Sequence, residues 1–427
     1  MRISKASLVS PGSNQAYGTF ALAISFFVFA YSSRFGQASI LVYYGLWLPL
    51  VLVDYRRVLG NYGRYIWILG FAVFACLSVF WSAAPGITVR TGVQYLSHVV
   101  CALIAMRTID IRTLVRGALA GVGIVLVYSL LFGVYHLDPL DGTYSFVGAF
   151  ASKNQLGFYA SLGIYFAFIA PVALGERGLW LGAAGAVGLI SAYSLFSSQS
   201  ATSVLTAVAI VCCWLGMRAV GMLSPGHRKG LFLAAVVVGG VAALAAVYGG
   251  GVDLVLGLFG KDSTLTGRTY LWQQGIEAAL SSPVVGVGYQ AYWVQGFSEP
   301  ERLWEEFFIA TRSGFHFHNT FIEAMVETGA IGLVLLCTVL LVTVFGHIMR
   351  LLAYDHHTES SVLFGVAMLL LVRAFVEIDI MNPYHVGSFL LYFAAGRLTI
   401  RQGRQFVSER RLAEGRVLAS HHPQLRS

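Results

Sequence analysis

Charge is scarce in this sequence. Of 427 residues, 11% are Asp, Glu, Lys or Arg, against 57% that are hydrophobic. A soluble domain of this length needs more charge to cover its surface, so a water-soluble enzyme is excluded. Cysteine is equally uninformative as a framework. Cys76, Cys101, Cys212, Cys213 and Cys337 all lie inside apolar runs, with no disulfide pattern and no zinc spacing. There is no dinucleotide-binding pattern, no Asp-x-Asp metal-ligand set and no serine nucleophile with partners. The Gly286-Val287-Gly288 turn lacks both a Gly-rich strand-to-helix context and a following Lys-Ser/Thr, which excludes a phosphate loop. No convincing internal repeat is found, nor matching Gly/Pro-broken helices in two halves, which counts against a transporter.

What is present is a series of apolar runs near twenty residues long and a mean hydropathy of +0.72. In lipid the backbone must satisfy its own hydrogen bonds, so these runs predict an all-α polytopic membrane protein. Twelve spans are expected, near 17–33, 38–53, 64–81, 89–106, 113–135, 154–174, 178–197, 201–217, 231–249, 318–346, 361–380 and 384–400. The first is read as a retained helix, because no small-residue cleavage site follows it. With the N-terminus inside, twenty of the twenty-eight Lys and Arg residues fall on inner segments. That asymmetry places both termini in the cytoplasm. It also accounts for the net charge of +8 as topology rather than as a nucleic-acid patch.

The expected organisation is an N-terminal bundle over 1–249, a large outer loop over 250–317, a C-terminal bundle over 318–400 and a basic tail over 401–427. The loop is rich in aromatics, including Tyr270, Trp272, Tyr292, Trp293 and Trp304, which argues for a folded segment. Thr266 is expected to cap a helix from Gly267 to Ser282, stopped by Pro283. A second amphipathic piece runs from Glu299 to Ile309, with Trp304 expected at headgroup depth.

The stretch from Gly314 to Gly329 concentrates the polar groups. Asn319, Glu323 and Glu327 are spaced to share one helix face, which is costly in a membrane unless it meets water or partners. His318 can accept a proton near neutral pH, with His316, Asn319 and Glu323 beside it. Arg268, in the first turn of its helix, suits a phosphate or diphosphate, the alternative being an ion pair with Asp262 or Glu301. Lys153 opens the sixth span after a Ser152 cap, with Asn154 next to it. Arg373 and Glu377, four apart in the eleventh span, are expected to pair within the bundle, and Glu327 is a further candidate partner for Arg373. Gly329 and Gly332 are read as helix-packing positions. Cations and a histidine at the outer leaflet, beside an aromatic loop, suit a lipid-linked phosphate ester and a metal-independent group transfer.

These pieces resemble the bacterial Wzy-type polymerase and O-antigen ligase family of membrane glycosyltransferases. The likeness lies in Thr266-Gly267-Arg268-Thr269-Tyr270-Leu271-Trp272, Ser282-Pro283-Val284-Val285-Gly286-Val287-Gly288-Tyr289, His318-Asn319 and Glu327-Thr328-Gly329-Ala330-Ile331-Gly332. Phe150 to Gly157, with Lys153-Asn154, looks most like the exopolysaccharide-polymerase branch. The resemblance implies a GT-C-like fold in the inner membrane with a periplasmic site. It implies transfer of a glycan from undecaprenyl diphosphate to an acceptor glycan hydroxyl, with neither metal nor cofactor. Direct displacement would invert the anomeric centre, and no clear carboxylate pair offers a retaining route. Carried over, Arg268 would neutralise the leaving diphosphate, His318 would act as base, and Lys153 would be a second diphosphate contact. Asn154, Asn319, His316, Arg312 and Glu323 complete the expected substrate contacts. Membrane lipid and a chain-length regulator are the other implied partners. One departure stands out: Ser197-Ser198-Gln199-Ser200-Ala201-Thr202 lacks the basic residue of many relatives, so either Lys153 and Arg312 supply that charge or the donor is held differently. A ligase that hands finished glycan to lipid A-core, a transporter and a structural scaffold are the competing readings.

Overall fold

Long apolar runs close their hydrogen bonds within themselves, and the chain is accordingly built of helices. A computed structural model describes residues 4–60, 62–137, 142, 144–248 and 267–400. Thr266 and Asp262 lie outside the described residues, as do the tail and the start of the large loop. The main helices are α1 (Gln15–Trp47), α2 (Ile66–Leu77), α3 (Pro85–Thr108) and α4 (Ile111–Phe132). After a hairpin follow α5 (Lys153–Leu174), α6 (Leu179–Ser197), α7 (Ala201–Val220) and α8 (Pro225–Tyr248). Two short loop helices come next, α9 (Arg268–Ser281) and α10 (Ser298–Glu306). The chain then returns to the bundle in α11 (Thr320–Ala353), α12 (Thr358–Ala374) and α13 (Val386–Leu398).

Eight described segments are long and apolar enough to cross a membrane: Gln15–Val53, Tyr55–Phe80, α3 to α7, and α11. This is a multi-pass helical membrane protein. Of the other four expected spans, one is the second arm of α1, contained within the Gln15–Val53 segment, and three correspond to α8, α12 and α13, which lie outside that set. α1 is not straight. Gly36 takes φ 65° and ψ −157°, a conformation essentially confined to glycine, and the helix turns back on itself there. The two arms then face each other, with Phe29 and Tyr43 rings 5.0 Å apart and Trp47 Nε1 donating to Ser25 Oγ at 2.9 Å. α4 packs along this hairpin through Gly117 and Gly121. A Cβ on either would come within 2.7 Å of Leu22 or Phe26.

The structure adds one element to the expected all-α fold and corrects two expectations. First, Val134–Leu137 (β1) pairs antiparallel with Tyr144–Gly148 (β2) in a short hairpin. The signal is present in the sequence: alternating Val-Tyr-His-Leu and Tyr-Ser-Phe-Val flank an Asp-Gly turn pair. Second, α12 ends at Ala374 rather than near 380, so Glu377 and Asp379 lie in the irregular connection to α13. Glu377, Asp379 and Asn382 interrupt the apolar pattern here, and Pro383 follows them. Third, Trp304 is 2% exposed and packs on Trp293, 6.1 Å between rings, so its ring is enclosed by the loop rather than presented as a lipid-interface anchor. It belongs to a small separate core of the loop with Leu271, Tyr292, Leu303, Phe307 and Phe317.

That loop is locked onto α11 through a break in the helix. Gly329 adopts φ 62° and ψ −168°, which frees backbone groups on both sides of it. Val287 and Gly288 donate to the carbonyls of Val326 and Glu327, at 3.0 and 2.9 Å. Ala330 and Ile331 donate back to Pro283 and Val284, at 2.9 and 3.2 Å. These four backbone groups beside the break are therefore satisfied by the loop. A Cβ on Gly329 would meet the Val284 backbone at 2.3 Å, and one on Gly286 the Glu327 backbone at 2.4 Å.

Candidate active site

The N-terminal ends of four helices converge around Glu377, two of them reaching its carboxylate directly. Asn154, the second residue of α5, donates its side-chain amide to Glu377 Oε1 at 2.8 Å. Its carbonyl accepts from Ser200 Oγ, the cap of α7, at 3.0 Å. Arg268, the first residue of α9, reaches the same carboxylate oxygen at 3.3 Å. From the start of α11, Thr320 Oγ1 donates to the Glu377 carbonyl at 2.6 Å. Asn319 caps that helix with its Oδ1 and donates its amide to the Phe375 carbonyl at 3.1 Å. Helix N-termini carry partial positive charge and unpaired N–H groups, so this is ground for an anion.

The histidines arrive from the His316-Phe317-His318 segment. While its neighbours His316 and His318 face Glu377, Phe317 is fully buried in the loop core. Its N–H donates to Glu323 Oε2 and its carbonyl accepts from Trp272 Nε1, both at 2.9 Å. His318 Nδ1 then lies 3.4 Å from Glu377 Oε1, and His316 Nε2 lies 3.8 Å from Oε2. With Nδ1–H directed at the carboxylate, His318 keeps the Nε2 lone pair for a substrate, and an ionised Glu377 can stabilise the imidazolium that forms. Burial pushes the Glu377 carboxyl up, but His318 and Arg268 pull it further down, below the usual carboxylate range. Burial first, and then His318 and Arg268, hold His316 well below the ordinary histidine value, so it is neutral.

Of the expected site residues, Arg268, His318, His316, Asn154 and Asn319 are brought together around the Glu377 connection. Lys153 is the first residue of α5, next to Asn154, and Ser152 caps the helix as expected by accepting from Gln155 N. Arg312 is instead engaged by α10, 3.0 Å from Glu301 and 3.9 Å from Glu305. Glu323 is 1% exposed and spent on Phe317 N and Trp293 Nε1, so it braces the loop rather than facing a substrate. The expected Arg373–Glu377 pair is not made. Arg373 is 2.5 Å from Asp379 and 4.3 Å above the Phe158 ring, and it also donates to Ser203 at 3.3 Å. Nor does Glu327 meet it; Glu327 is buried with Oε2 unbonded among the described residues. Arg373 therefore brings positive charge to the Ser-rich turn from another helix.

Glu377 is the residue that sequence reasoning misassigns. Its charge in an apolar setting is visible, but its place depends on α12 stopping three residues before it. His316, His318 and Glu377 also have donor atoms within 4.8 Å of one another, close enough in principle to hold a metal ion. The hydrogen bonding opposes that use. His316 Nδ1 accepts from the His318 N–H at 3.0 Å, which leaves the ring proton on Nε2, the atom a metal would need. Arg268 adds a fixed positive charge on the same carboxylate.

Comparison with known proteins identifies the family. The Wzy_C family, described as O-antigen ligase, matches residues 186–337, a stretch containing the Ser-rich turn, Arg268, the Gly286–Gly329 interlock and His318. The exopolysaccharide production protein ExoQ of Rhizobium meliloti (strain 1021) is 74% identical over 405 residues, spanning 95% of this chain and 93% of that protein. The chain thus belongs to the Wzy-type polymerase and O-antigen ligase family, on its exopolysaccharide-production branch.

Proposed function

We propose that this protein is a membrane polysaccharide polymerase acting at the periplasmic face of the bacterial inner membrane. It transfers a glycan from undecaprenyl diphosphate to a hydroxyl of an acceptor glycan, without a metal. The observation that carries this reading is the joining of Arg268 and His318 through Glu377 at the converging helix N-termini. His318 Nε2 takes the hydroxyl proton as the acceptor oxygen attacks the anomeric carbon. The bond from that carbon to the diphosphate oxygen breaks, and its electron pair leaves on the diphosphate. Direct displacement inverts the anomeric centre.

Arg268 reaches Glu377 through one terminal nitrogen, and a guanidinium has five N–H donors, so it can hold the carboxylate and a diphosphate together. Helix N-termini and Lys153 add positive charge where negative charge develops. A histidine base contributes about 10²–10⁴-fold and cationic stabilisation of the leaving group about 10²–10³-fold. The ExoQ relative is named for exopolysaccharide production, which favours polymer synthesis. The O-antigen ligase description of the matching family keeps glycan transfer to a different acceptor as the second reading.

Glycan size on gels, in cells carrying Arg268→Ala or His318→Ala with membrane levels matched, separates these readings. Loss of long polymer with accumulation of single lipid-linked units is the expected result. Polymer of normal length that stays lipid-linked would favour the ligase, and unchanged glycan in both variants would sink the active-site assignment.

A further inference from the structure

His318 stands in the left-handed region, with φ 51°. A side chain rarely adopts that conformation without support, and non-glycine residues held there concentrate at functional sites. The support comes from two residues upstream. His316 Nδ1 accepts the His318 backbone N–H at 3.0 Å, and the two rings lie 4.1 Å apart between centroids. An Asx turn has the same connectivity, with a side-chain acceptor bonded to the N–H two residues on. The other nitrogen, Nε2, is 3.8 Å from Glu377 Oε2, beyond hydrogen-bond reach. With Nδ1 occupied and the proton on Nε2, His316 has no lone pair to offer an acceptor hydroxyl.

We infer that His316 is a positioning residue. Its ring clamps the His318 N–H and holds the left-handed turn that aims His318 at Glu377. This rests on the transferase reading for its kinetic consequence but not for its structural one. Glu323 and Trp272 fix Phe317 from either side, and the His316 clamp is the third hold on the segment. Loosening it moves the base without removing it, and a misplacement of about 1 Å costs on the order of 10²-fold in rate.

Asparagine and glutamine separate the two ring nitrogens. His316→Asn retains a side-chain oxygen that can accept the His318 N–H as an Asx turn does, whereas His316→Gln carries its amide out toward the position of Nε2. The full-length variants His316→Asn, His316→Gln and His316→Ala are to be purified in nanodiscs and assayed with an undecaprenyl-diphosphate-linked oligosaccharide. Amide hydrogen exchange at His318 is followed alongside. The inference expects His316→Ala and His316→Gln to lose about 10²-fold in kcat at unchanged donor KM, with faster exchange at the His318 amide. His316→Asn should restore both to the wild-type order. Restoration by glutamine and not by asparagine would overturn it in favour of a donor to Glu377. Alanine behaving as wild type in both measurements would overturn it outright. A His318→Ala protein as active as wild type would instead sink the transferase reading, and the exchange series would then decide the clamp alone.

Discussion

Glu377 and His316 share one small volume and are driven in the same direction by different causes. The carboxylate is held ionised by His318 and Arg268 against the effect of burial, and the imidazole is held neutral chiefly by burial. Their consequences for stability fall in separate pH windows. For His316, lowered in the folded protein, the unfolded chain binds the proton first, so stability is lost as pH falls from about 6.5. For Glu377, also lowered, the loss begins only as pH falls below about 4.3. Thermal midpoints of detergent-solubilised protein between pH 7 and 5 should therefore fall more steeply for wild type than for His316→Asn. Equal slopes would show that His316 is not held neutral. Arg268 and His318 can be found in the sequence because each lies at the start of a helix, where local pattern fixes position. Glu377 cannot be placed, since an i, i+4 arginine offers a simpler partner. Sequence also draws Arg312 and Glu323 into the site, because composition does not reveal which donors already occupy a carboxylate or which carboxylates already hold an arginine.

At the level of elements, the Gly286–Gly329 interlock is what brings the loop to the membrane helices. Two backbones cross there at a distance no side chain allows, and both glycines have positive φ, 69° and 62°. Gly286→Ala and Gly329→Ala should each destabilise by at least about 1–3 kcal/mol, since conformational strain adds to the clash. Gly182→Ala is the control. It lies within α6 with nothing within 4 Å of an added Cβ, so the substitution should be neutral or stabilising by up to about 1 kcal/mol. Equal midpoints for all three variants would remove the interlock from the stability of the loop. The two motif pieces are visible in the sequence, but their mutual hydrogen bonding is not. Helix periodicity assigns Gly329 to smooth packing, whereas the backbone breaks there.

At the level of the molecule, sequence accounts for most of the architecture, because hydropathy dictates where helices form in lipid. Each expected span falls on a helix or helical arm, while the β1–β2 hairpin and the early end of α12 are set by local turn chemistry that hydropathy does not register. The basic-residue asymmetry predicts which side the site occupies. In cells whose native cysteines have been replaced, Ser313→Cys in the loop should react with an impermeant maleimide applied outside. Met222→Cys, in the exposed turn between α7 and α8, should not. The reverse pattern would place the site on the cytoplasmic face and remove it from any periplasmic glycan.

The most direct measurement is cell-free: purified protein in nanodiscs, given only undecaprenyl-diphosphate-linked oligosaccharide and EDTA, with glycan length read on a gel. The arrangement around Glu377 predicts chain growth by wild type. Growth should fall by about 10² or more for Arg268→Ala, His318→Ala and Glu377→Gln at matched thermal stability. Undiminished growth in His318→Ala, or growth by wild type only when a divalent metal is restored, would contradict it.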